Sequence, residues 1–138
     1  MTSSIETNWI GDMAFTTDID GHTITIDADA AVGGKDKGAR PKPFLLMALS
    51  GCTGMDVVSL LKKMRVDFTD FKVGIDGELT DEHPKYYDKL HINYKFWGVN
   101  KKDYAKVEKA VTLSKTRYCG VSAMLEKSSE VTYEIIYN

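Results

Sequence analysis

The segment PKPFLLMALSGCTGMDVVSLLKKMR, from Pro41 to Arg65, constrains this chain more than any other stretch. Proline is tolerated in the first turn of a helix, where its missing N–H had no intrahelical partner, and after Pro43 no proline follows until Pro84. The spacing predicts a helix from about Pro43 to about Arg65, roughly 35 Å long at the usual rise per residue. Its first half, FLLMAL, is apolar on every side, and its second half sets Met55, Val58, Leu61 and Met64 apart from Lys62, Lys63 and Arg65. A helix that is apolar all round is buried all round, so this one is expected at the centre of the molecule. Asp56 near its middle would cost about 2.5–3.5 kcal/mol in a bilayer, so no membrane span is expected.

At 138 residues and 43% hydrophobic content, the chain fits one domain able to bury roughly two-thirds of its unfolded surface. The expectation is a single domain over 1–138, with an N-terminal hairpin and loop over 1–40 and a helix–sheet core over 41–138. Eighteen basic residues against twenty acidic ones, with a net charge of −2, give no basic field, so nucleic acid is not an expected partner. The start, MTSSIETNWIGDMAF, has no cationic end, unbroken apolar run or small-residue cleavage site, and a cytoplasmic protein is expected.

Residues 8 to 16 and 22 to 28 flank a turn-rich DIDG, and Thr23-Ile24-Thr25-Ile26 alternates at strand period, which predicts a hairpin. GGKDKGAR, 33 to 40, reads as a mobile loop. Residues 71 to 79 and 88 to 97 alternate apolar and polar side chains and read as antiparallel strands with one wet face. Asn100, with Asp103 three residues on, resembles a helix N-cap, and Tyr104, Val107, Val111 and Leu113 follow at helical spacing. GVSAMLEK suits one or two helical turns, and EVTYEIIY, 130 to 137, is a last strand. The order is β-β-α-β-β-α-α-β and the fold class is α+β, antiparallel sheets packed around a long buried central helix.

The chain has two cysteines, both in unusual settings. Cys52 is bracketed by the small residues Ser50, Gly51, Thr53 and Gly54, and Ala48, Gly51, Cys52 and Gly54 form a narrow stripe on which a second helix could cross closely. Cys119 follows Arg117, whose charge would favour a thiolate, as would a helix starting at Cys119. In a reducing compartment such a pair is catalytic, redox-active or inert rather than a permanent staple. Thiol peroxidation needs few other groups: a thiolate, a cation to hold it ionised, and a second thiol to condense with the sulfenic acid. A disulfide closing so long a loop would also stabilise the fold by roughly 4 kcal/mol in the loop-entropy picture. Other chemistries fit less well. His22, His83 and His91 lie on a hairpin, a turn and a wet strand face, with no metal-ligand spacing, so no metal and no cofactor are expected. No histidine on the Cys52 helix offers a hydrolase base. GGKDKG lacks the Lys-Ser/Thr of a phosphate loop.

Three segments, PKPFLLMALSGCTGMDVVSLLKKMR, EHPKYYDKLHINYKFWG and LSKTRYCGVSAML, resemble the OsmC/Ohr family of organic hydroperoxide reductases and osmotically induced proteins, in its OsmC-like branch. The resemblance covers nearly the whole chain. It implies an intertwined homodimer around two long buried helices, with Cys52 as the peroxide-attacking thiol and Cys119 as the resolving thiol. It also implies an organic hydroperoxide as substrate and an external dithiol as reductant, in an oxidative or osmotic stress response. Active members place a glutamate near the start of the cysteine helix to orient an arginine from the N-terminal region. Here that stretch is Pro41-Lys42-Pro43-Phe44, and the only arginines are Arg40, Arg65 and Arg117. Arg40, or less readily Lys42, is the candidate cation, and Phe44, Met47, Met55 and Tyr118 are the candidate pocket residues. Asp56, one turn beyond Cys52, would raise the thiol pKa if it faced the sulfur; it is expected instead as a structural group that caps or pairs with a neighbour across the dimer. The alternative function is a noncatalytic stress protein that holds a small apolar ligand at the dimer interface.

Overall fold

The structure is a computed structural model and describes all residues from 1 to 138. The chain forms two compact units, Met1–Leu45 and Leu46–Asn138.

The first unit holds a three-stranded antiparallel sheet in the order β1 (Thr7–Trp9), β2 (Phe15–Ile19), β3 (His22–Ile26). The sequence suggested one strand over 8–16, and the structure breaks it in two. Gly11 and Asp12 take positive φ of 107° and 49°, and the reversal is closed by Ile10 N–H to Ala14 O and Ala14 N–H to Gly11 O, both 3.0 Å. Between β2 and β3, Asp20 and Gly21 also have positive φ, with Ile19 opposite His22. This is the two-residue turn whose twist matches that of antiparallel strands.

The loop expected to be mobile is wound around one carboxylate. Asp27 is 2% exposed and accepts backbone N–H bonds from Ala28 at 2.8 Å, Lys35 at 3.0 Å and Lys37 at 3.1 Å. These bonds, the one from Lys37 first, hold its carboxyl below the ordinary value against the opposing effect of burial. The glycines serve close approach here: a Cβ on Gly34 would collide with the carbonyl of Ala28, and one on Gly38 with that of Thr25.

Helix α1 (Pro43–Lys63) starts where the prolines place it and stops two residues early, with Arg65 left-handed at φ 58°. By length and composition alone it could cross a membrane. Its buried side chains are Leu49, Thr53, Val57 and Leu61, a single stripe with a four-residue repeat. The expectation of burial all round therefore fails within one chain, because the sheet covers only one side: Met47 and Met55 are 57% and 76% exposed.

The second sheet has the order β4 (Asp70–Leu79), β5 (Tyr87–Trp97), β6 (Glu130–Tyr137). The first pair is antiparallel, with Val73 opposite Tyr94, and Leu90, Ile92, Tyr94 and Phe96 turn one face of β5 into the core. β6 departs from the all-antiparallel expectation and runs parallel to β5, with Ile92 opposite Tyr133. The cause is the connection, a long crossover through α2 (Tyr104–Leu113) and α3 (Gly120–Leu125) that brings the chain back to the end where β5 began. At its start Asn100 Oδ1 accepts the Lys102 N–H at 3.0 Å, the cap foreseen from the sequence. The core joins the α1 stripe to the inner face of β5, to Val107, Ala110 and Val111 of α2, and to Cys119.

Candidate active site

Cys52 sits on α1 at the edge of the buried stripe and is half-buried, next to Thr53, which is fully buried. No second helix crosses the small residues around it within the second unit. A Cβ on Gly54 would meet Val73 of β4 at 3.4 Å, and one on Gly51 would meet nothing within 4 Å. Cys119 is brought to the same place by the middle of the crossover, between α2 and α3. After α2 the chain widens into a π turn, Ser114–Tyr118, and Cys119 then caps α3, its Sγ accepting the Ser122 N–H at 3.3 Å. Both thiols are free, and the two sulfurs and a carboxylate oxygen of Asp56 all lie within 4.8 Å of one another.

The two thiols are not equivalent. Cys119 is 3% exposed, and burial pushes its pKa up to about 11. The Ser122 N–H opposes this shift, whereas the neighbouring Cys52 and the charge of Asp56 add to it. A helix start therefore does support Cys119, as expected, but desolvation outweighs it. Arg117 does not supply the expected help and lies over the Tyr118 ring, 5.5 Å from its centre. Lys115, on the π turn, donates to Glu126 Oε1 at 2.6 Å and to Ser122 Oγ at 3.1 Å, tying the turn to α3 around Cys119.

Asp56, expected to pair across a dimer rather than face the sulfur, instead lies within 4.8 Å of both sulfurs and is paired inside the chain. Ser114 Oγ donates to its Oδ2 at 3.0 Å; Ser114 Oγ and Thr53 Oγ1 are 2.8 Å apart, and Thr53 Oγ1 and the Tyr94 hydroxyl 2.7 Å. Each hydroxyl has one proton, so an ionised Asp56 fixes the whole direction: Tyr94 donates to Thr53, Thr53 to Ser114, and Ser114 to Asp56. Thr53, Ser114 and Tyr94 are fully buried, and none of their polar atoms lacks a partner. Sequence reading missed these three, since residues 53, 94 and 114 meet only through the fold. Asp56 and Cys52 one turn apart on α1 were the available signal.

Arg40 lies in the first unit, its guanidinium bonded to the Gly38 carbonyl at 2.8 Å and to Asp36 at 3.2 Å. Phe44 is half-buried in the first turn of α1, and Met47 is exposed. Met55 lines a groove of about 530 Å³ with Gly51, Gly54, Val58, Phe71 and Val73. Tyr118 lines a separate cleft of about 160 Å³ with Asp56, Ser59, Leu60 and Lys63. His91 is on the wet face of β5, 2.7 Å from Thr132 Oγ1. The donors that the fold gathers, two thiols and one carboxylate, are three in number, one short of a closed tetrahedral metal site.

The family model for OsmC-like proteins matches residues 34–134. Protein YhfA of Escherichia coli K12 is 35% identical over 131 residues, which cover 93% of this chain and 94% of that protein. Among solved structures, a hypothetical protein from Aquifex aeolicus is 29% identical with a TM-score of 0.81, over 100% of this chain and 98% of that one. An organic hydroperoxide resistance protein from Elizabethkingia anophelis shares the fold at 15% identity, with a TM-score of 0.69 over 100% and 99% of the two chains.

Proposed function

Because the chain belongs to the OsmC-like protein family, we propose that it is a thiol-dependent peroxidase that reduces organic hydroperoxides through a Cys52/Cys119 dithiol–disulfide cycle. The observation that carries this reading is the placement of two free sulfurs within 4.8 Å of each other, one half-buried and one buried. Cys52, beside the open Gly51, is the thiol a peroxide can reach. Its thiolate attacks the outer peroxide oxygen, the O–O bond breaks, and the sulfenic acid forms as the leaving alkoxide takes up the proton the thiol had released, becoming an alcohol. Cys119 condenses with that sulfenic acid, water leaves, and an external dithiol of the reducing cytoplasm restores both thiols. The groove past Met55, Val58, Phe71 and Val73 supplies apolar surface for the organic part of the substrate.

Support also comes from fold likeness to a protein described as conferring organic hydroperoxide resistance. A homodimer is the proposed assembly, in which a second copy would cover the exposed face of α1 carrying Met47 and Met55. The test is turnover of cumene hydroperoxide with a dithiol reductant, lost in Cys52→Ser; a wild type that consumes no peroxide ends the reading. The same groove favours a second reading, a noncatalytic protein holding a small apolar ligand, for which both thiols would survive one equivalent of peroxide.

A further inference from the structure

We propose that Asp56 is the proton carrier of the disulfide-forming step, taking the proton of Cys119 and delivering it to the hydroxide that leaves Cys52. This rests on the peroxidase reading and deepens it. The second half-reaction joins Cys52–S–OH and Cys119–S–H into a disulfide and water. The S–S bond forms, the S–O and S–H bonds break, and the Cys119 sulfur is oxidised as the Cys52 sulfur is reduced. One proton must travel from one sulfur to the oxygen on the other.

The geometry gives that proton a carrier. An oxygen of Asp56 lies within 4.8 Å of both sulfurs, so a single carboxylate faces the donor and the leaving group at once. Ser114 engages Oδ2 alone, which leaves acceptor capacity on the carboxylate. The hydroxyl chain from Tyr94 through Thr53 and Ser114 ends on Asp56, so three aligned dipoles hold it as an acceptor without neutralising it. Cys119 needs such a base, because burial keeps its thiol protonated well above neutrality. Bonds of this kind tighten from their resting distances during reaction.

The other titratable groups around the site do not replace it. Cys52 is the partner sulfur, and Tyr94 on β5 is held protonated, its pKa pushed up to about 12 by burial. Tyr133 on β6 lies behind Tyr94, 6.0 Å between ring centres. Lys63 and Tyr118 line the cleft that Asp56 opens onto, Lys115 is committed to Glu126, and Arg117 lies over Tyr118.

The experiment treats the full chain with one equivalent of cumene hydroperoxide and follows two products by mass spectrometry: the dimedone adduct of a Cys52 sulfenic acid, and the two-hydrogen loss of the disulfide. Wild type should close before dimedone captures it, at a rate flat across the neutral range. Asp56→Asn should still form the sulfenic acid but close roughly 10²-fold more slowly, accumulating the adduct and speeding up as rising pH ionises Cys119. Asp56→Glu, which keeps a carboxylate, should recover most of the rate and guards against a misfolded Asn variant. Closure of Asp56→Asn at the wild-type rate overturns the proposal alone, as does slow closure that is indifferent to pH. A wild type that forms neither sulfenic acid nor disulfide overturns the peroxidase reading and this proposal with it.

Discussion

The hydroxyls of Thr53 and Tyr94 are 2.7 Å apart and both residues are fully buried, so the link between α1 and β5 is a polar bond within an apolar core. Thr53 is the middle of the chain that ends on Asp56. Thr53→Val keeps the shape but leaves the Tyr94 hydroxyl without an acceptor and Ser114 without a donor, which should cost about 1–3 kcal/mol. Tyr94→Phe removes only the terminal donor and should cost about 1 kcal/mol. Urea unfolding of the two variants checks the order, and a Thr53→Val protein as stable as Tyr94→Phe would contradict the place of Thr53 as the bridge between two hydroxyls.

The two thiols should separate cleanly in alkylation. With a pKa pushed up to about 11, Cys119 is a thiolate in only about one molecule in 10⁴ at neutral pH, and it is buried as well. Iodoacetamide should therefore label Cys52 first and reach Cys119 only on unfolding or at high pH. The linkage sign follows from the raised value. The contribution of a protonated Cys119 to stability is complete below the ordinary thiol value of 9.0 and is lost as pH rises toward about 11. Peptide mapping after a timed alkylation reads this, and equal labelling of the two thiols at neutral pH would refute it.

A third expectation concerns Asp27. Its folded pKa lies below the ordinary 3.8, so the stability it supplies is present above 3.8 and is lost as pH falls through the lower folded value. The amide proton resonances of Lys35 and Lys37, which donate to Oδ2, should titrate together with a midpoint below 3.8. Asp27→Asn should abolish that titration and release the loop. A midpoint at or above 3.8 would mean that the backbone bonds do not outweigh burial.

Local pattern carried the long elements. The Pro43 start of α1, the alternation of Leu90, Ile92, Tyr94 and Phe96, and the bounds of the last strand are each written in a few adjacent residues. What escaped depends on long-range geometry. The parallel direction of β6 follows from where the α2–α3 crossover ends. The order in residues 33–40 follows from Asp27, several residues before the glycines it organises. The site divides in the same way. Cys52 and Cys119 announced themselves by their neighbours, and the family resemblance paired them; the hydroxyls of Ser114 and Tyr94 serve Asp56 only because π turn, strand and helix converge. Arg117 misled because sequence adjacency to Cys119 says nothing about where a guanidinium points, and here it turns to Tyr118.

The exposed face of α1 gives the last prediction. Met55 is 76% exposed in the single chain and lines the groove with Gly51, Gly54 and Val73. If a second copy covers that face, Met55→Glu buries an unpaired carboxylate at an interface, a penalty of several kcal/mol that should split the assembly into monomers. If the face stays in water, the same change is an ordinary surface substitution, worth within about 0.5 kcal/mol, and the mass in solution does not move. Light scattering coupled to size exclusion distinguishes these outcomes. The expected result is a dimeric wild type and a monomeric Met55→Glu that stays folded by circular dichroism, because the core stripe of Leu49, Val57 and Leu61 lies on the opposite side of the helix and is untouched. A monomeric wild type would remove the dimer from the proposed function and leave the groove open to a ligand instead.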